Sequence, residues 1–269
     1  MHKLYHADGD ASKEWLFQYN FIDDPTNSKI SAFSGQYSFH FVNSTSWKTV
    51  AKPAELIATG WGSTNPSLSF AEGLIENDGM DSWRRQSWIV TYDEMINGKK
   101  IGDEVVMSFD QAIDKRGISK AGVYGNAGYW QYKRVPLKKD LLLNAQDGDN
   151  ASTDVNYPIM RYAEVLLLYA EACAQTGDDG SGLAALNAVQ ERAGAKHKSS
   201  ACTLDEVKNE KRWECFLEGS RFVDLVRWGD AKTVMGEQGK SVPSAYDDIR
   251  DTDNSHVGYF YAANQFSRS

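Results

Sequence analysis

The strongest periodicity in the chain runs from Pro158 to Gly177. Apolar residues fall at Met160, Ala163, Leu167, Ala170 and Ala174, three and four apart, which predicts an amphipathic helix closed by the glycine. "SGLAALNAVQERAG" repeats the pattern through Leu183, Leu186, Val189 and Ala193, with Gly194 beyond its end. Only "GDDG" separates the two runs, so they are expected to fold back as an antiparallel hairpin. Ala170 and Ala172 in the first run and Ala184 and Ala185 in the second would let the backbones approach closely, as in one tetratricopeptide unit. A third helix is expected over 204–218, with Thr203 as its cap, Glu206 returning the bond, and Val207, Trp213 and Phe216 on its apolar side. The chain should restart as helix near Ser220.

Upstream the pattern changes. Residues 1 to about 150 are broken by Gly, Ser and Asn, with short alternations at Trp15 to Asn20 and Gln36 to Phe41 that predict strands. "PSLSFAEGLIEND" predicts a Ser-capped helix with Phe70, Leu74 and Ile75 at helical spacing. The expected class is mainly α: tetratricopeptide-like helical hairpins packed against a loop-rich region with few short strands. Three stretches follow, a loop-rich ligand-binding region over 1–150, a helical region over 151–235 and an irregular tail over 236–269, expected to form one composite domain.

The segment "RWECFLEGSRFVDLVRW", residues 212–228, mixes six ionisable groups with two Trp and two Phe. A helix continuous through Gly219 would set Glu218 with Arg221, Arg221 with Asp224, and Asp224 with Arg227 three apart, under Trp213, Phe216, Phe222 and Trp228. Partly buried arginine–carboxylate networks are costly to desolvate and fix register more than they add stability. The segment is therefore read as a structural bolt and not as an active site.

Composition narrows the partners. A net charge of −8, with no long Lys/Arg cluster, argues against nucleic acid. No run of apolar residues is long enough for a membrane span, and "MHKLYHADGD" lacks the apolar core of a secretory signal. Cys173, Cys202 and Cys215 form no close pair, so neither a metal site nor a disulfide framework is expected. His2, His6, His40, His197 and His256 are scattered along the chain, and no zinc site is read from them. Asp147, Asp149, Asn150 and Asp154 invite a calcium reading but lack the full loop spacing and closing Glu, so a polar linker is the better reading. No cofactor is expected.

"NYPIMRYAEVLLLYAEA", "ALNAVQERAG" and "VKNEKRWECFLEGSRFVDLVRWGDA", in that order, resemble the carboxy-terminal region of the SusD/RagB family of outer-membrane nutrient-binding lipoproteins. The matching positions are Tyr157, Pro158, Arg161, Tyr162, Ala163, Glu164, Val165, Leu166 and Leu167, then Arg212, Glu214, Glu218, Gly219, Arg221, Asp224, Leu225, Arg227 and Trp228. "SKEWLFQYNF" and "GWGSTNPSLSFAEGLIENDGMDSWR" resemble the family's middle region more loosely, so the likeness extends from about residue 12 to 235. The resemblance implies tetratricopeptide-like helices against a loop-rich binding portion, and no catalysis. It implies a surface-exposed, lipid-anchored outer-membrane protein that captures an oligosaccharide or polysaccharide and passes it to a SusC-like TonB-dependent transporter. Family members are usually longer, with a signal peptide, a lipidated Cys and further helical repeats, so this chain is expected to be a fragment.

Sugars present apolar CH faces ringed by hydroxyls, and a site for them wants flat aromatics with planar polar groups. Candidates are Trp61 between glycines, Asp81, Trp83, Arg84, Arg85 and Trp88, and Tyr129, Trp130 and Tyr132. Two rival readings carry different chemistry. A glycosidase would need a carboxylate pair such as Glu72 with Glu76 or Asp78 with Asp81. A tetratricopeptide-type protein–protein module would use the helical face instead.

Overall fold

The computed structural model describes residues 2–20, 66–91, 94, 99–101, 104–106, 129–135, 137–140 and 155–237. Trp61, Gln36 to Phe41, the "DGDNASTD" acids and the tail from residue 238 lie outside the described residues. The described elements are β1 (Trp15–Tyr19), α1 (Leu68–Asp78), α2 (Trp83–Trp88), β2 (Ile89–Thr91), β3 (Lys99–Ile101), β4 (Glu104–Val106), β5 (Tyr129–Gln131), β6 (Tyr157–Arg161), α3 (Tyr162–Thr176), α4 (Asp179–Ala193), α5 (Leu204–Glu214), α6 (Ser220–Arg227) and α7 (Ala231–Gly236). The fold is mainly helical with short paired strands, as the pattern predicts. Two compact units form, one from Met1–Phe21, Glu72–Trp88 and Val155–Arg221, the other from Ile22–Ala71, Ile89–Asp154 and Phe222–Ser269.

In the first unit α3 and α4 make the expected antiparallel hairpin. Gly177 and Gly194 end the two helices in the left-handed conformation, at φ 79° and 67°. Ala163, Leu167 and Ala170 of α3 pack with Ala185, Leu186 and Val189 of α4. Val207 of α5, Cys202 and Cys215 close this core. All three cysteines are buried thiols, and burial pushes Cys202 above the ordinary thiol range.

Three local expectations are corrected. Residues Tyr157–Arg161 are not helical but pair antiparallel with β1, which Pro158 tolerates because a two-stranded ribbon leaves an edge without a required donor. The third helix stops at Glu214: Leu217 takes φ 59° and Gly219 φ 86°, so α5 and α6 are separate helices. One continuous helix through Gly219 is thereby ruled out, and Glu218 lies outside α6. Asp224 and Arg227 do pair, at 2.9 Å, within the second unit. Finally, Thr203 Oγ1 accepts the Glu206 N–H at 3.2 Å, but the Glu206 carboxylate does not return the bond and instead meets Ser199 and His197.

The β1–β6 ribbon is bulged. Trp15 faces Arg161 and Phe17 faces Met160, leaving Leu16 as an extra residue in β1; Gln18 then faces Pro158, leaving Ile159 as an extra in β6. The inward–outward alternation is broken at both places, and Leu16 with Phe17, and Ile159 with Met160, are exposed as neighbours. In the second unit, β2 pairs with β5, setting Ile89 against Gln131, Val90 against Trp130 and Thr91 against Tyr129.

Candidate functional site

The charges of the first unit converge on Glu214. Its Oε1 accepts from Arg161 Nη1 at 2.6 Å and from Arg192 Nη2, and its Oε2 accepts from Arg84 Nη1 at 3.0 Å. Arg84 also grips Asp78 in a bidentate pair, Nε to Oδ2 at 2.8 Å and Nη2 to Oδ1 at 2.6 Å, and bonds Glu210 through Nη1. Arg161 is bidentate on Glu218, at 2.8 and 2.7 Å, and Tyr5 donates its hydroxyl to the same carboxylate at 2.7 Å. Fork-to-fork geometry of this kind fixes two planes at once. Glu14, just before β1, accepts from Arg161 and Arg192 and from the Ala163 N–H, satisfying an open donor in the first turn of α3.

Arg84, Arg161, Asp78 and Glu214 are all essentially inaccessible to water. Burial alone would pull both guanidiniums down. For Arg84 the carboxylates of Glu210, Asp78 and Glu214 outweigh it, and for Arg161 mainly those of Glu218 and Glu214, so each is held protonated more firmly than usual. Burial pushes Glu210 up, and Arg84 only partly offsets this. The arrangement locks five stretches of chain together and is closed to a ligand. Glu218 contributes from a turn whose neighbour Leu217 occupies the left-handed region, a conformation costing a non-glycine residue about 1–2 kcal/mol.

Above this cluster stands Trp83, the first residue of α2, with 68% of its surface exposed. Its indole lies against the backbone of Gly194: a methyl group placed there would come within 2.5 Å of Trp83 Cδ1. Gly194 thus serves both the left-handed end of α4 and the close seating of the ring. Backbone bonds from Lys196 N to Asp78 O at 2.9 Å and from His197 N to Asn77 O at 2.8 Å hold the loop after α4 beside the end of α1. Met80, Asp81 and Gln86 are exposed around the start of α2. An exposed indole face with a nearby carboxylate can stack on a pyranose and accept from its hydroxyls.

The other candidates are distributed differently. Arg84 is consumed by the ion network, and Arg85 is buried, with Nε donating to Met80 O at 2.6 Å. Trp88 is wholly buried, its Nε1 donating to Trp213 O at 3.1 Å and its ring set edge-on to Tyr5. Tyr129 and Trp130 lie on β5 of the second unit, where Tyr129 is half-buried, and Tyr132 follows the strand. The sequence reading missed Glu14, Asp78, Arg192 and Glu210 as network members. The spacing of Glu210 and Glu214, four apart on α5, was the available signal. Of the signature residues, Arg161, Glu214 and Glu218 sit in this network, while Arg212 stacks on Trp213 at 4.5 Å and Arg227 on Trp228 at 4.9 Å. Asp78 is tied to Arg84 while Asp81 is exposed, so that carboxylate pair is split between two environments.

A model of the SusD family matches residues 13–268. The chain belongs to the SusD family. A SusD-like protein of Bacteroides ovatus is 38% identical over 111 residues, covering 38% of this chain and 20% of that protein. The starch-binding protein SusD of Bacteroides thetaiotaomicron is 38% identical over 76 residues, 28% of this chain and 13% of that protein. Among solved structures, surface glycan-binding protein A from Bacteroides thetaiotaomicron in complex with laminarihexaose aligns with a TM-score of 0.63 at 22% identity, over 93% of this chain and 49% of that one. Surface glycan-binding protein A from Bacteroides fluxus gives the same TM-score and identity over 94% of this chain and 47% of that one. At such identity the likeness is one of fold. This SusD-family chain spans about half the length of those solved structures.

Proposed function

We propose that this chain is part of a non-catalytic glycan-capture protein. It would hold an oligosaccharide or polysaccharide at the cell surface, anchored by lipid to the outer membrane, and deliver it to a SusC-like TonB-dependent transporter. Membership of the SusD family supports the role, and the relatives named for starch and laminarihexaose support the ligand class. The observation that carries the reading to particular residues is the exposed Trp83 ring seated on Gly194, two residues along the chain from the exposed Asp81.

In this account Arg84 and Trp88 are positioning residues. They fix α2 from beneath, so that Trp83 is presented on a rigid base, and they touch no sugar themselves. Tyr129 and Trp130 on β5, with Trp61, are proposed as further aromatic contacts on the second unit. The buried charges Asp78, Arg84, Arg161 and Glu214 are paired with one another, which supports a structural rather than a ligand-binding role for them.

Affinity electrophoresis of the chain through gels containing a panel of polysaccharides tests this, with Trp83→Ala alongside. Retardation by at least one glycan, lost in the variant at unchanged circular dichroism, is expected. Reducing sugar measured over a day should not accumulate. Retardation that survives Trp83→Ala would refute the assignment of the platform, and hydrolysis of the bound polymer would refute the non-catalytic reading.

A further inference from the structure

The geometry points to Cys173 and Cys202 as an oxidisable pair that closes to a disulfide, stapling the last turn of α3 to the start of α5 across α4. The shared landmark is Gly182, in the first turn of α4. A methyl group placed on it would come within 2.5 Å of Cys202 Sγ, 3.2 Å of Cys202 Cβ and 2.7 Å of Cys173 Cβ. Both cysteines therefore crowd one point, and their Cβ atoms are no more than about 6 Å apart, within small adjustment of the ~4 Å a disulfide spans. Cys202 Sγ already reaches α3, donating to Ala170 O at 3.3 Å, three residues before Cys173. Gly182 lies within a helix, where glycine is normally unfavourable, and no left-handed φ calls for it; the space left by its missing side chain is filled by the two cysteines.

The chemistry balances by thiol–disulfide exchange. One cysteine, as its thiolate, attacks a sulfur of a small disulfide such as oxidised glutathione, giving a mixed disulfide and releasing one thiol. The second cysteine attacks the mixed disulfide, forms the Cys173–Cys202 bond and releases the other thiol. Two electrons and the two cysteine protons end on the oxidant. Burial, with Cys173, Asp179 and Asp178 beside it, pushes the Cys202 thiol up. Exchange in the closed core is therefore slow, and the bond belongs to folding, while both thiols are still reachable. The cell-surface setting rests on the function proposed above; it lies outside the reducing cytosol, and a bond of this kind persists there. Cys215 is the internal contrast: it is buried in the same core, but none of its atoms is among those nearest Gly182.

Refolding the full chain from urea in a glutathione redox buffer reads the thiols without any glycan, so its outcome is separate from that of the capture reading. Unfolded again without reductant, the product should expose one maleimide-reactive thiol, Cys215, weigh two hydrogens less than the reduced chain and yield a peptide pair linked through Cys173 and Cys202. The loop closed is about 30 residues long, so the linked chain should melt roughly 5–10 °C above the reduced one. Cys215→Ser should keep the link and the gain, and Cys202→Ser should lose both. Mapping of the wild-type chain decides even where a variant fails to fold. Three reactive thiols, a link through Cys215, or glutathione held on Cys173 or Cys202 with no internal bond would overturn the inference. So would a linked chain that melts no higher than the reduced one.

Discussion

Replacing Arg84 by methionine keeps a long side chain in place but removes the cation that three buried carboxylates share. Asp78, Glu210 and Glu214 have side-chain exposures of 0%, 1% and 0%, so none can recover its hydration by a small movement. Removing one partner of a buried ion pair costs about 3–5 kcal/mol, because the remaining charge stays desolvated. For a chain of this size that corresponds to a fall in Tm of roughly 6–20 °C. Arg161 and Arg192 still neutralise part of Glu214, which places the expected loss at the lower end. The deficit should also depend on pH. Burial already pushes the Glu210 carboxyl up, and without Arg84 it loses the cation that partly offsets this, so the folded variant binds a proton there more tightly than the unfolded chain. The penalty is then complete above the raised pKa and shrinks as pH falls through it toward the ordinary carboxylate range. Urea denaturation followed by circular dichroism at pH 7 and pH 4.5 measures both effects. Adding Glu210→Gln should return part of the loss, since burial already pushes that carboxyl up. A loss below about 1 kcal/mol, or a deficit unchanged between the two pH values, would refute the claim that this network is the bolt of the unit.

Trp88→Ala should cost about 3–5 kcal/mol by cavity formation and the orphaned Trp213 carbonyl, read by thermal denaturation. Gly194→Ala should destabilise by about 1 kcal/mol for its φ of 67° and also displace Trp83, read as a change in tryptophan emission and in glycan retardation. Glu206→Gln should cost less than about 1 kcal/mol at pH 7, because the His197 side of the contact is exposed. Burial would raise the Glu206 carboxyl, but bonds from His197 and Ser199 outweigh it and hold it below the usual range. A depressed carboxyl stabilises above its unfolded pKa and loses that contribution as pH falls through the folded one, so the difference from wild type should vanish in acid.

The hairpin of α3 and α4 was legible because its core is local: apolar residues at three and four, closed by Gly177 and Gly194. The start of α3 was not, because Met160 continues the helical period while lying in a strand whose partner, β1, is about 140 residues away in the sequence. Pairing partners at such separation leave no trace in a local window. The density of charge in 212–228 correctly signalled a buried network, and the expected Asp224–Arg227 pair forms on α6. The partner of Glu218 was not legible, because Arg161 sits far from it along the chain and Leu217 with Gly219 takes Glu218 off the helix. For the binding residues, type alone could not separate Trp83 from Trp88: both are tryptophans of one short helix, on opposite sides of it, and only packing shows which ring meets Gly194 and water and which meets the Trp213 carbonyl. Arg84 was taken for a ligand group because no sequence pattern reveals that α1 and α5 aim three carboxylates at it.

The central claim, that Trp83 forms a sugar platform on a rigid charged base, is tested most directly by titration calorimetry. The oligosaccharide unit of whichever polysaccharide retards the chain is titrated into wild type and Trp83→Ala, with Tm measured on both. The account expects at least a tenfold weaker affinity in the variant, about 1.4 kcal/mol, at a Tm within a degree or so of wild type, since the ring is largely exposed. Equal affinities in the two proteins would contradict it.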